Sequence, residues 1–120
     1  MIYDDNNIFA KIIRGEIPCK KVYEDEYTLA FYDVNPLAPV HILVIPKGKY
    51  ISQNDFAEKA SDEEIAALNK AIVKVAKEAE IAEKGYRVVT NIGSDGGQEV
   101  KHLHFHILGG HKMGAMVPRK

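Results

Sequence analysis

The chain has 120 residues, of which 46% are hydrophobic and 28% charged, with a formal net charge of −1. That is the length of one domain with enough apolar material for a core, and the near-neutral balance argues against a dedicated nucleic-acid binder. The single cysteine, Cys19, excludes an internal disulfide and fits a reducing, cytoplasmic setting, the polar start over residues 1–7 is unlike a signal peptide, and no apolar run approaches the ~20 residues of a membrane span.

Ile8, Phe9, Ile12 and Ile13 recur at helical spacing behind Asp5-Asn6, and Gly15 and Pro18 end this short helix. Residues 20–24 and 27–33 read as strands joined by an acidic turn, with Leu29, Phe31 and Asp33 on one face of the second. Asn35-Pro36 and Ala38-Pro39 form a turn segment. Residues 40–46 read as a third strand, with His41, Leu43 and Ile45 on one face and Val40, Ile42 and Val44 on the other.

Ser61-Asp62-Glu63-Glu64 is a capping-box pattern, and Ile65, Leu68, Ile72, Val75, Ala79 and Ala82 follow it as one apolar stripe. The pattern predicts a long helix that stops at Gly85. Residues 86–91 read as a fourth strand, and Gly93-Ser94-Asp95-Gly96-Gly97 is a glycine-rich loop before the last strand. No repeat, low-complexity tract or linker divides the chain, so residues 1–120 are expected to form a single domain. The order α-β-β-β-α-β-β predicts an α+β fold: a five-stranded, mainly antiparallel sheet with one short and one long helix. The last two strands flank a loop of roughly ten residues, which suits a wide hairpin.

The final strand carries the chemistry. His102-Leu103-His104-Phe105-His106 alternates histidine with apolar residues, so a strand here points three imidazoles one way and Leu103, Phe105 and Ile107 into a core. Histidine serves as base, acid, nucleophile or metal ligand near neutral pH. Three readings follow. The imidazoles can be plain surface side chains, although one face rarely fills with so uncommon a residue by chance. They can bind zinc through His-x-His with His41 as a further donor, but no acidic residue lies within the triad to support the ligands. Or one neutral imidazole attacks phosphorus while its neighbours hold the phosphate oxygens, with backbone N–H groups of the glycine-rich loop offered to the anion.

His102-Leu103-His104-Phe105-His106-Ile107-Leu108 resembles the His-φ-His-φ-His-φ-φ signature of the histidine triad (HIT) superfamily, φ being apolar. Ile8-Phe9-Ala10-Lys11-Ile12-Ile13-Arg14-Gly15-Glu16-Ile17-Pro18 is similar to the opening of its nucleotide-binding branch. Ala30-Phe31-Tyr32-Asp33-Val34-Asn35-Pro36, Pro39-Val40-His41-Ile42-Leu43-Val44-Ile45-Pro46 and Gly96-Gly97-Gln98-Glu99-Val100 are similar to the same branch. The resemblance covers residues 7–110 and leaves a tail at 111–120.

The resemblance implies a HIT-like fold whose sheet continues across a homodimer. It implies hydrolysis of purine nucleoside 5′-phosphoramidates (AMP conjugates) by a bacterial-type purine nucleoside phosphoramidase. His104 matches the nucleophile and His106 the histidine on the phosphate. His102 and His41 match a hydrogen-bonded relay behind the nucleophile. Asp33 matches the carboxylate on the ribose hydroxyls, although an Asp before Asn-Pro also starts turns. Ile8, Phe9, Phe31, Val34 and Leu43 match positions around the base, although ordinary core is the plainer reading of them. Asn91 and the Gly97 backbone match phosphate and ribose contacts. Glu99 stands near the leaving group where animal members have serine, and bacterial members share the glutamate. Some relatives bind zinc through Cys-x-x-Cys near the N-terminus; Asn7 and Ala10 stand here instead, so no metal and no cofactor is expected. The animal-type C-terminal tryptophan is also absent, since the chain has none. The basic tail is expected to shape the leaving-group side of a site, the chain's own or a partner's. Two alternatives remain: a dinucleoside polyphosphate hydrolase with the same nucleophile, and a nucleotide-sensing module with vestigial catalysis. No nucleic-acid or membrane partner is expected.

Overall fold

A computed structural model describes residues 2–118, so Met1 and the last two residues of the tail lie outside the described residues. Strands β1 (Lys21–Glu24), β2 (Thr28–Tyr32), β3 (Val40–Pro46), β4 (Arg87–Val89) and β5 (Phe105–Gly109) form one sheet in the order β1-β2-β3-β5-β4, every pair antiparallel. Helices α1 (Ile8–Ile13), α2 (Gln53–Lys59) and α3 (Asp62–Glu78) complete it. The α+β expectation and the five antiparallel strands hold.

The alternation in β3 divides the core in two. Ile42 and Val44 join Ala30, Leu103 and Ile107 under Leu68, Ala71, Ile72 and Val75 of α3. Leu43 and Ile45 join Leu29, Phe31 and Phe9 of α1 on the opposite face. Fully burying each of the larger apolar side chains contributes roughly 1.5–3 kcal/mol. A one-residue slip of β3 would exchange the two sets, so the register is strongly specified.

Four elements differ from the sequence reading. First, a second short helix, α2, lies between β3 and α3. Ser52 caps it and Asp55 completes the capping box, but Phe56 is its one buried residue. Two turns with one buried side chain carry no readable periodicity. Second, α3 ends at Glu78 rather than running on to Gly85. The Ile81 N–H donates to the Ala76 carbonyl and the Glu80 N–H to the Lys77 carbonyl, both at 3.0 Å, with Glu80 in the left-handed region at φ 59°. This is the Schellman arrangement, and Ile81, buried in the α3 core, supplies its usual hydrophobic contact.

Third, the ladder of β5 begins only at Phe105, so His102 and His104 precede it. There the Leu103 N–H donates to the Tyr50 carbonyl, and the His104 carbonyl accepts from Thr90 Oγ1, both at 2.8 Å. These bonds take the place of pairing with β3. The two-residue alternation survives regardless. Leu103 and Ile107 are buried under α3 with Phe105 packed beside them, and the histidines lie on the opposite face. β4 is likewise shorter than expected, which lengthens the β4–β5 connection to residues 90–104. No helix among the described residues is long and apolar enough to cross a membrane.

Candidate active site

A cavity of about 620 Å³ opens on the histidine face of the sheet. It is lined by His41, His104 and His106, by Asp33, Asn91, Gly97 and Glu99, and by Ile8, Phe9, Phe31, Val34 and Leu43. Every residue singled out from the sequence therefore reaches it, except His102. Phe9, Phe31 and Leu43 are at once cavity wall and buried core, so both readings of them hold together. Ile8 and Val34 are exposed at the mouth.

The hydrogen bonds fix the tautomers of the four imidazoles. The His104 Nδ1–H donates to the main-chain carbonyl of His102 at 2.7 Å. A carbonyl only accepts, so the proton sits on Nδ1 and Nε2 keeps its lone pair. Phe9 stands edge-on to the His104 ring, with centroids 4.9 Å apart, and holds its plane. The His102 Nε2–H donates to the Pro46 carbonyl at 2.8 Å, which leaves His102 Nδ1 as an acceptor, filled by the Tyr3 hydroxyl at 2.5 Å.

On the cavity side the Leu37 N–H donates to His41 Nδ1 at 3.0 Å, which places the His41 proton on Nε2. That Nε2–H donates to His106 Nδ1 at 2.9 Å. His106 must then carry its own proton on Nε2, at the far side of the ring, where it is a donor. Asp33 Oδ2 lies 3.5 Å from the same His41 nitrogen, a weaker contact, while Asp33 Oδ1 accepts from the Asn35 N–H at 2.8 Å. Asp33 thus both starts a turn and presents a carboxylate oxygen that is only weakly engaged. The two residues matched to a relay, His102 and His41, do not bond to each other. His102 reaches His104 through its main-chain carbonyl, and the His41 ring serves His106.

Burial holds these imidazoles neutral. It lowers the pKa of His41 and His104, with nearby Asp33 partly opposing it in both. His102 falls to about 4, chiefly from burial. His106 also falls to about 4, from burial and then from its imidazole neighbours His104 and His41. At neutral pH the His104 lone pair is available to attack.

The glycine-rich loop is tied down by a residue the sequence did not flag. Gln98 is buried; its Oε1 accepts from the Gly93 N–H at 3.0 Å, and its Nε2–H donates to the carbonyls of Ile51 (2.6 Å) and Val100 (3.0 Å). Asn91 Nδ2–H donates to the Gly96 carbonyl at 2.6 Å. Gly97 has φ 77°, and a Cβ on Gly96 would lie 2.3 Å from the Ile92 carbonyl oxygen, so both positions require glycine.

A HIT domain model matches residues 14–113. The chain belongs to the HIT family. It is 55% identical over 117 residues to an uncharacterized HIT-like protein of Azospirillum brasilense, covering 98% of this chain and 96% of that one. It is 46% identical over 119 residues to the purine nucleoside phosphoramidase of Escherichia coli, covering 97% of each. The solved histidine triad protein of Clostridium difficile superposes with a TM-score of 0.84 at 49% identity, over 97% of this chain and 100% of that one.

Within this HIT chain, Asp33, His41 and His106 each offer a ligand atom, all within 4.8 Å of one another. The donor set suits a metal poorly. The atom His41 would present is Nε2, which carries its proton because Nδ1 is committed to the Leu37 N–H. Ligation requires breaking that bond or making an imidazolate. The tail, for its part, runs past β4, where Arg87 donates to the carbonyls of Gly114 (2.9 Å) and Ala115 (3.3 Å). None of its described residues lines the HIT chain's own cavity.

Proposed function

We propose that this HIT protein hydrolyses the P–N bond of purine nucleoside 5′-phosphoramidates. The observation that carries the reading is the free Nε2 of His104, set beside the Nε2–H of His106 in one cavity. His104 Nε2 attacks the α-phosphorus and a P–N(His) bond forms. The substrate's P–N bond breaks, and the amine leaves with a proton supplied within the site. Water then attacks the nucleotidyl-histidine, the P–N(His) bond breaks, nucleoside monophosphate departs and neutral His104 returns. The His106 Nε2–H is the fixed donor to the phosphoryl oxygens, stabilising developing charge without reorganising; the loop N–H groups of Gly93 and Gly97 are already donated to Gln98 Oε1 and the Ser94 carbonyl. Phe9, Phe31 and Leu43 form the apolar wall for the base, Asp33 Oδ2 takes the ribose hydroxyls, and Glu99 at the mouth favours a cationic amine leaving group. The E. coli relative's activity supports this reading. Rates measured in parallel on an adenosine phosphoramidate, a diadenosine polyphosphate and a nucleotidylated sugar test it. The P–N substrate is expected to turn over fastest; a faster P–O–P substrate would assign the polyphosphate reading, and no turnover at all a sensing module.

Asp33→Asn is expected to weaken ribonucleotides more than their 2′-deoxy analogues. The amide carbonyl can keep the Asn35 N–H bond, but an NH₂ replaces the oxygen offered to the sugar. Charged hydrogen bonds contribute about 1 kcal/mol more than neutral ones, which is roughly fivefold in Kd. Calorimetric titration with both ligand series reads the difference, and an equal loss for both sugars would remove Asp33 from ribose recognition.

The protein acts as a cytoplasmic homodimer in this proposal. β4 is an open edge with Val88 exposed, and pairing it with a second copy continues the sheet. The tail beside β4 then lies within reach of the partner's site. Light scattering reads the dimer directly.

A further inference from the structure

His102 is the one triad histidine whose side chain does not reach the cavity. Its ring is nevertheless fully buried and bonded at both nitrogens. The partner at Nδ1 is Tyr3, which lies 99 residues away in the chain. The segment carrying Tyr3 is pinned across the histidine face. Asp5 pairs with Lys49 at 2.8 Å, the Asp5 carbonyl accepts from Arg14 Nη1 at 2.8 Å, and Asn7 caps α1. Two residues further on, Phe9 stands edge-on to both the His102 and the His104 rings.

We propose that Tyr3 is a positioning residue for His104, acting through His102. The inference rests on the reading of His104 as nucleophile. The path is short and each step is a bond on the page. The Tyr3 hydroxyl donates to His102 Nδ1, and the Pro46 carbonyl holds the other side of the same ring. Anchored at both nitrogens, residue 102 has one allowed orientation, and its main-chain carbonyl is therefore fixed. That carbonyl holds His104 Nδ1 at 2.7 Å, so it sets both the tautomer and the aim of the attacking Nε2. Tyr3 does not line the histidine cavity, so its removal should leave the base, ribose and phosphate contacts in place.

Without the hydroxyl, His102 Nδ1 becomes an unpaired acceptor in a buried pocket, and the ring must shift or admit water to satisfy it. A displacement of 1 Å at the reacting atoms can cost about 10²-fold in rate. A Tyr3→Phe change keeps the aromatic ring and is expected to cost about tenfold in kcat, with KM unchanged. The control is Tyr23→Phe, which deletes a phenol bonded to Asp25 on the far edge of the sheet. It removes a hydroxyl of the same kind away from the histidines and is expected to leave kcat as it is.

The experiment compares both variants with the parent protein in two readouts: steady-state kinetics on an adenosine phosphoramidate, and imidazole ¹⁵N–¹H spectra that report each histidine's tautomer. In Tyr3→Phe the His102 Nδ1 and His104 Nδ1 signals should both move while KM holds. An unmoved His104 signal, an unchanged kcat, or an equal kcat loss in Tyr23→Phe would each overturn the proposal. The spectra keep the two readings apart. If the parent protein shows no turnover, the nucleophile reading fails by itself, and the His104 signal still decides whether Tyr3 controls that ring.

Discussion

A His104→Ala protein is expected to hold nucleotide and lose hydrolysis. The substitution removes the Nε2 lone pair that forms the bond to phosphorus, and no other imidazole can take its place. His106 carries its proton on Nε2 because its Nδ1 accepts from His41, His41 is committed at both nitrogens, and His102 lies outside the cavity. Removing a nucleophile that works as part of a unit costs on the order of 10⁴- to 10⁶-fold in kcat. Affinity should change little, because the wall at Phe9, Phe31 and Leu43 and the carboxylate of Asp33 are untouched. Release of nucleoside monophosphate and calorimetric titration of the same sample measure the two quantities. Substantial turnover in pure His104→Ala protein would remove the nucleophile assignment, and a parallel loss of binding would make the ring a recognition group.

The imidazole face behind that proposal was legible because its signals are local. The alternation His102-Leu103-His104-Phe105-His106 needs five residues, and the alternation in β3 needs seven. Both carry side-chain direction in the sequence itself, which is why the two core faces and the imidazole face appear as read. Even the shortened ladder of β5 leaves the alternation intact, because an extended chain alternates with or without a paired neighbour. The capping box at Ser61 is local as well. The end of α3 was less legible. The apolar spacing continues through Ala79 and Ala82, and what stops the helix is Glu80 entering the left-handed region at a cost of about 1–2 kcal/mol, offset by burial of Ile81. Only the packed core reveals that exchange.

The supports of the site were the least legible. Gln98 binds the main chain at Gly93, Ile51 and Val100, and nothing in its neighbours announces this. Tyr3 meets His102 only after the whole chain has folded. The pairing of His41 with His106 rather than with His102 follows from register, since His106 stands opposite Leu43 while His102 has left the ladder. Each of these is a contact between distant segments, and spacing patterns carry no information about such contacts.

The same buried imidazoles should make the protein acid-labile at unusually mild pH. His102 and His106 have pKa values of about 4 in the fold against an ordinary 6.5, and His41 and His104 are lowered as well. A group with a depressed folded pKa binds fewer protons in the folded state. Its contribution is therefore complete above pH 6.5 and is lost as pH falls towards 4. For His102, wholly buried, that difference corresponds to about 3 kcal/mol. The paired carboxylates do not obscure it. Glu24, held at about 2 by its bonds to Lys21 and Lys47, begins to matter only below its ordinary value of 4.5. Urea unfolding is expected to show a midpoint that falls steadily from pH 6.5 to 4.5 with an unchanged m-value. In His102→Gln, where one of these groups no longer titrates, the fall should be shallower even if the starting stability is lower. NMR titration of the folded parent protein should place the His102 midpoint near 4. A midpoint near 6.5, with stability flat between pH 6.5 and 4.5, would mean that the ring meets water in solution and that the closed arrangement of Tyr3, Pro46 and His102 does not persist there.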